Sequence, residues 1–264
     1  MAVVPEYPYA QERLILKLYD RRFATQLRKD KRIHPWTVGI EEEYQQFILG
    51  GRIPDFMNKL RSDDDVDEEE PWGPAQDEAY LFDHIQQLYE TESEVYQMLE
   101  DLQGRDIPRF LGWVTMPGYY LQSTAVSKYV DCPGILLQYI EGAPLSNLAS
   151  FAPKDTWQEI CEDAIRIVNQ LGDRGVLNED VKPRNFIVRK ESADGFKAFM
   201  IDFALCNFRR EYRDERDWWE SKAIEDEEGA VGYVMDRRLQ GGFVYRRSAK
   251  YLELDKKFRS QPPK

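Results

Sequence analysis

Leu177-Asn178-Glu179-Asp180-Val181-Lys182-Pro183-Arg184-Asn185-Phe186-Ile187-Val188 is followed, a few residues on, by Phe199-Met200-Ile201-Asp202-Phe203-Ala204. An Asp and an Asn five apart precede one apolar strand, and another Asp stands at the end of a second. Phe186 to Arg189 and Phe196 to Ile201 read as a β-hairpin turning at Ala193-Asp194-Gly195, because Asp-Gly is a favoured tight-turn pair. Neither half is informative alone: D-x-K-P-x-N is short, and Asp-Phe-Ala arises by chance. The informative feature is their order, with one hairpin between them.

Working outward, the segment from Asp155 to Arg174 reads as a helix. Trp157, Ile160, Cys161, Ala164, Val168 and Leu171 line its apolar face, and Gly175 closes it. Asp155, with Gln158 three residues on, is the expected N-terminal cap. Gly134 to Ile140 is a short apolar strand ended by Glu141-Gly142-Ala143-Pro144, and another strand starts after Pro108. A long helix begins near Asp77 and ends at Gly104, with Leu81, Ile85, Leu88, Val95, Leu99 and Leu102 at three- and four-residue steps. Glu92 falls in the one gap of that stripe and so faces the apolar side.

Residues 13 to 19 alternate as a strand, and Lys17 sits within it. A lysine in an apolar strand needs a partner or an escape to solvent, since a buried ammonium is costly. Residues 20 to 77 read as a polar, irregular insertion. It carries the run Ser62-Asp63-Asp64-Asp65-Val66-Asp67-Glu68-Glu69-Glu70, which like-charge repulsion should keep extended.

The chain has 264 residues and a formal net charge of −12. That length suffices for one sizeable core or two small lobes. The charge argues against general binding to nucleic acid or anionic membranes. No apolar run is long enough to span a bilayer, and the N-terminal residues do not read as a signal peptide. Cys132, Cys161 and Cys206 are widely spaced, which suggests neither a disulfide framework nor a zinc site and fits a reducing compartment. Cytosol and nucleus fit equally well.

With its two motifs in order, the sequence resembles the protein kinase-like superfamily and, more narrowly, a divergent fungal protein-kinase-like family. The resemblance implies an α+β, two-lobed fold: a truncated N-lobe sheet with its helix C over residues 1–142, and a reduced helical C-lobe over residues 143–264. It implies ATP and Mg²⁺ as cofactors. Asp180 matches the catalytic base, and Lys182 the lysine that approaches the γ-phosphate. Asn185 and Asp202 match the metal ligands, hard oxygen donors suited to Mg²⁺. Lys17 matches the lysine that contacts the α- and β-phosphates, and Glu92 the helix glutamate that pairs with it. Gln138, Tyr139 and Ile140 match the adenine-binding hinge, with Leu137 behind it.

The sequence also departs from that pattern. No glycine-rich loop precedes Lys17, and Asn178-Glu179 stand where the family has His-Arg. Asp202-Phe203-Ala204 replaces Asp-Phe-Gly, which restricts the backbone after the metal ligand. The tail beyond Ala204 is short for a peptide-binding lobe. Two functions therefore compete. One is ATP-dependent phosphoryl transfer to a hydroxyl of a small molecule or protein; the other is a pseudokinase module that presents a binding surface. Trp218 and Trp219 are expected to pack the tail onto the lobe, and His34 and His84 to play structural or surface roles.

Overall fold

The computed structural model describes residues 13–61, 72–118, 124–191 and 195–259. The acidic run 62–70 and the hairpin turn residues Ala193 and Asp194 lie outside them. In chain order the elements begin with β1 (Leu14–Leu18), α1 (Thr25–Asp30), α2 (Val38–Leu49), α3 (Ile53–Arg61), α4 (Pro74–Met98), β2 (Phe110–Met116), α5 (Thr124–Val130) and β3 (Cys132–Gln138). They continue with β4 (Ala143–Pro144), α6 (Leu148–Phe151), α7 (Trp157–Asp173), β5 (Val176–Asn178), β6 (Phe186–Lys190), β7 (Phe196–Met200) and β8 (Cys206–Phe208). The last helices are α8 (Glu215–Glu225), α9 (Glu227–Leu239) and α10 (Ala249–Leu254). None of the helices among the described residues is long and apolar enough to cross a membrane.

The chain divides into two compact units. One comprises the residues up to Ile15, Thr91–Leu111 and everything from Leu137; the other comprises Leu16–Glu90 and Gly112–Leu136.

The second unit holds most of a three-stranded sheet of order β1-β3-β2. Gly134 lets β3 lie tight against β1: a Cβ there would come within 2.7 Å of the Lys17 carbonyl oxygen and 2.8 Å of Leu18. The same unit corrects the expectation of an irregular insertion, because residues 25–61 form three helices with a core of their own. Tyr44, Phe47 and Ile48 of α2 pack with Ile53 and Met57 of α3 and Ala79 of α4, and Phe56, Leu60 and Phe82 close over them. The spacing Ile53, Phe56, Met57, Leu60 is helical, but the charged residues between mask it in a composition count. Thr37 caps α2 by accepting from the Ile40 N–H at 3.2 Å.

Beneath this core lies a charged cluster that composition alone reads as solvated. Glu78, fully buried, accepts from both Arg21 and Arg28. Arg21 also forks onto Glu41 at 2.6 and 2.8 Å, and its guanidinium lies 4.2 Å from the Tyr44 ring centroid. Burial opposes charging Arg21, but the facing carboxylates hold its pKa above the ordinary arginine value. Burial would raise Glu41, yet Arg21 and the Trp36 indole hold it below the usual carboxylate range.

In the first unit, α7 buries Ile160, Cys161, Ala164, Ile167, Val168 and Leu171. Its N-cap differs from expectation. Asp155 lies in a 3₁₀ turn, and Thr156 occupies the cap without a side-chain bond. Gln158 instead clamps the backbone of Val244, donating to its carbonyl at 3.2 Å and accepting from its N–H at 2.9 Å. The hairpin forms as expected, with β6 and β7 antiparallel and Phe186 opposite Met200. β4 joins its other edge, antiparallel to β6. Trp218 is fully buried in α8, edge-on to Tyr212 at 5.3 Å and Trp219 at 6.3 Å. His84, in the second unit, stacks on Tyr80.

Candidate active site

The expected catalytic loop begins where β5 ends. β5 pairs antiparallel with β8, placing Asn178 opposite Cys206, and the Glu179 N–H continues the pairing to the Leu205 carbonyl at 2.9 Å. Asp180 then leaves the strand, Lys182 is extended, and Pro183–Asn185 make one 3₁₀ turn that delivers Asn185 to the start of β6. Proline suits the first turn of a helix because its missing N–H has no partner there.

Asn185 is 5% exposed, and its amide Nδ2 bridges the Asp180 backbone oxygen at 2.9 Å and Oδ2 at 3.2 Å. Lys182 closes an ion pair on Oδ1 of Asp180, and Arg184 stands 3.7 Å from Oδ2. The loop is tied to the Ile201–Asp202 segment by two further bonds. The Ile201 N–H donates to the Asn185 carbonyl at 2.8 Å, and Asn178 Nδ2 donates to the Asp202 carbonyl at 3.1 Å. Asn178 Oδ1 also accepts from the Asp180 N–H at 2.8 Å.

Asp202 has φ 69°, in the left-handed region that costs a non-glycine residue energy. Phe203 is fully buried and packs edge-on to Tyr96 of α4 at 5.4 Å. The residue with special backbone geometry in this turn is therefore Asp202. Ala204, expected to restrict the backbone, is not among the positive-φ residues, so its Cβ brings no such strain.

The remaining expected residues fall as follows. Glu92 is fully buried in the first unit's part of α4. Lys17 lies in the second unit's part of β1, half-buried, with Nζ 5.4 Å from the Tyr19 ring centroid. Gln138 ends β3 and donates its N–H to the Arg109 carbonyl at 2.9 Å, while its side-chain Oε1 accepts from the Arg109 N–H at 3.2 Å. The Tyr139 N–H donates to the Arg13 carbonyl at 3.3 Å, and Ile140 is buried.

Two residues of this site were not assigned a role from the sequence. Asn178 was legible only as a replacement for a histidine, yet its side chain links the Asp180 and Asp202 backbones. Glu227, the first residue of α9, is 1% exposed, and its Oε1 accepts from the Asn178 N–H at 2.9 Å. Its Oε2 pairs with buried Lys222 and accepts from the Tyr251 hydroxyl at 3.4 Å. No local sequence signal marks Glu227, because its partner is 49 residues away.

The chain is 24% identical over 141 residues to KEOPS complex subunit Bud32 from Pyrococcus abyssi. That match covers 48% of the chain and 61% of the length of the curated relative. Among solved structures, it is similar to the Rio2 kinase of Chaetomium thermophilum in its ADP/Mg²⁺-phosphoaspartate complex. The TM-score is 0.46 at 14% identity, covering 76% of this chain and 52% of that one. The chain itself is a mixed fold of helices and small sheets. Another protein-kinase-like neighbour is the Rad53 kinase domain with AMPPNP, at 18% identity and a TM-score of 0.36, covering 54% of this chain and 52% of that one. No family model matches the chain.

The donor chemistry of Asn185 and Asp202 narrows the choice of metal. No group of three or more His, Cys, Asp or Glu capable of holding a metal occurs among the described residues. A dedicated protein cage is therefore not what these residues form. One carboxylate and one amide oxygen instead fit Mg²⁺, which is commonly bound by one or two side chains together with substrate phosphates.

Proposed function

We propose that this chain is an ATP- and Mg²⁺-dependent phosphotransferase that acts on a hydroxyl acceptor. The observation that carries the proposal is the stitched frame around Asn185. Its Nδ2 is spent on Asp180, which leaves Oδ1 for a cation, and its carbonyl holds Ile201, the residue before Asp202. Asp202 and Asn185 would hold Mg²⁺, and Lys182 would serve the phosphate side. Asp180 would orient the acceptor hydroxyl and take its proton as the new P–O bond forms and the β–γ bridge breaks. Bound Mg-ATP supplies the transferable γ-phosphoryl group and the cation that screens it. Adenine recognition falls to the hinge carbonyls and the Ile140 N–H, because the N–H groups of Gln138 and Tyr139 already have backbone partners.

One observation favours the pseudokinase reading. Both carboxylate oxygens of Asp180 are engaged, one by Lys182 and the other by Asn185. A base held this way has part of its accepting capacity already in use. Thermal unfolding with and without Mg-ATP, together with transfer of labelled γ-phosphate, separates the two readings. Under the phosphotransferase reading, Mg-ATP at a hundred times its Kd adds about 2.7 kcal/mol of stability. Asp202→Asn removes that gain, whereas Asp180→Asn keeps it and loses transfer. A stabilised wild-type protein with no transfer, or with transfer indifferent to Asp180→Asn, would favour the binding module. The acceptor, small molecule or protein, is what the label would identify.

A further inference from the structure

The second unit holds a partly open cavity of about 140 Å³, and every residue in its wall belongs to that unit. None of the residues proposed above for phosphoryl transfer lines it. The wall is mixed, with Tyr19, Trp36, Phe82, Ile85, Tyr129 and Val130 in its apolar part. A cavity of about 150 Å³ accommodates one benzene molecule, so a ligand of about six heavy atoms fits.

The charges on the wall determine the class of ligand. Arg21 and Arg22 line it, but both are already paired with carboxylates. Arg21 is committed to Glu41 and Glu78, and Arg22 chelates Asp20 through Nε and Nη2 at 2.6 to 3.0 Å. Glu78, behind the wall, is shared with Arg28. Asp131 remains. Its Oδ1 accepts the Gly118 N–H at 2.9 Å, and no arginine or lysine pairs with it among the described residues. With Asp20 and Glu41 matched to Arg22 and Arg21, the lining carries one carboxylate in excess. A half-buried carboxylate in a wall that also carries aromatic rings favours a cation through its charge and through the Trp36 and Phe82 rings, since Lys17 and Lys128 already face Tyr19 and Tyr129.

We propose that this cavity is a binding site for a small organic cation, a guanidinium or alkylammonium group, with Asp131 as its counter-ion. The site is independent of the phosphotransferase reading, since the two share no residue.

The test is an NMR titration of the whole chain with methylguanidinium, its near-isosteric neutral analogue N-methylurea, and acetate. Saturable binding of methylguanidinium is expected, with N-methylurea at least about tenfold weaker and acetate not bound. Asp131→Asn should erase that preference while leaving the response to Mg-ATP as it is in the wild type. Ile85→Phe, which fills the cavity, should block methylguanidinium altogether, and it decides the question if Asp131→Asn fails to fold. The proposal is overturned by the absence of saturable methylguanidinium binding, by equal affinity for N-methylurea, by preference for acetate, or by cation binding that survives Ile85→Phe.

Discussion

The Asn178 backbone N–H donates to Oε1 of Glu227 at 2.9 Å, so the strand entering the candidate catalytic loop hangs from the first residue of α9. Both residues are buried, and the carboxylate is balanced by the buried ammonium of Lys222. Removing one member of a buried ion pair strands the other and costs about 3–5 kcal/mol. Glu227→Ala should lower stability by that amount in chemical denaturation. Glu227→Gln combined with Lys222→Met keeps an acceptor for Asn178 and removes both charges. The double variant should therefore recover most of the loss, a coupling that a double-mutant cycle measures directly.

Asn178 acts one bond further in. Its side chain accepts from the Asp180 N–H and donates to the Asp202 carbonyl, so it fixes the spacing of the proposed base and metal ligand. Asn178→Ala should cost about 1–3 kcal/mol of stability, the penalty of buried groups left unsatisfied. Its effect on phosphoryl transfer should be larger, about 10²-fold, because small misplacements of reacting groups are amplified in rate. Equal losses in stability and transfer would reduce Asn178 to a structural residue.

In the second unit, Glu78 holds two arginines at once. Glu78→Gln leaves Arg21 and Arg28 buried with less countercharge, so a loss of at least about 3 kcal/mol is expected. Circular dichroism should register melting of α1 and α2, which contribute Arg28 and Glu41 to this cluster. A variant as stable as the wild type would show that the cluster relaxes into solvent.

Acid stability should depend on Asp106. Burial pushes its carboxyl up, but hydrogen bonds from Arg166, at 2.5 Å, and Arg105, at 2.9 Å, outweigh burial and hold the pKa below 3.8. The unfolded state therefore takes up a proton at higher pH than the folded state does. The stabilisation is complete above the unfolded carboxylate value and is lost as pH falls through the lower folded one. Asp106→Asn should flatten the acid limb of a stability-against-pH curve and leave its slope near neutrality unchanged.

Much of this architecture was legible along the chain. The hairpin after Asn185, the helix carrying Leu81 and Glu92, and the apolar face of α7 all follow from residues within one or two turns of each other. Composition misled at residues 20 to 77. There the apolar stripe of α3 is diluted by charge, and Arg21, Arg28 and Glu78 are buried only because they find each other across 50 or more residues. The cap of α7 misled for a related reason, since Gln158 is drawn to Val244, 86 residues on.

By itself the sequence determined the local frame of the site: Asp180, Asn185 and Asp202 in order, with a proline turn and a hairpin to space them. Bonds between residues five apart depend on backbone geometry that the residue types already favour. Only the tertiary structure decided that Asn178 bridges Asp180 to Asp202, that Glu227 supports the loop from α9, and that Asp131 lines a cavity with no arginine or lysine paired to it among the described residues. Those relationships depend on which distant groups packing brings within about 3 Å, the range over which a hydrogen bond acts.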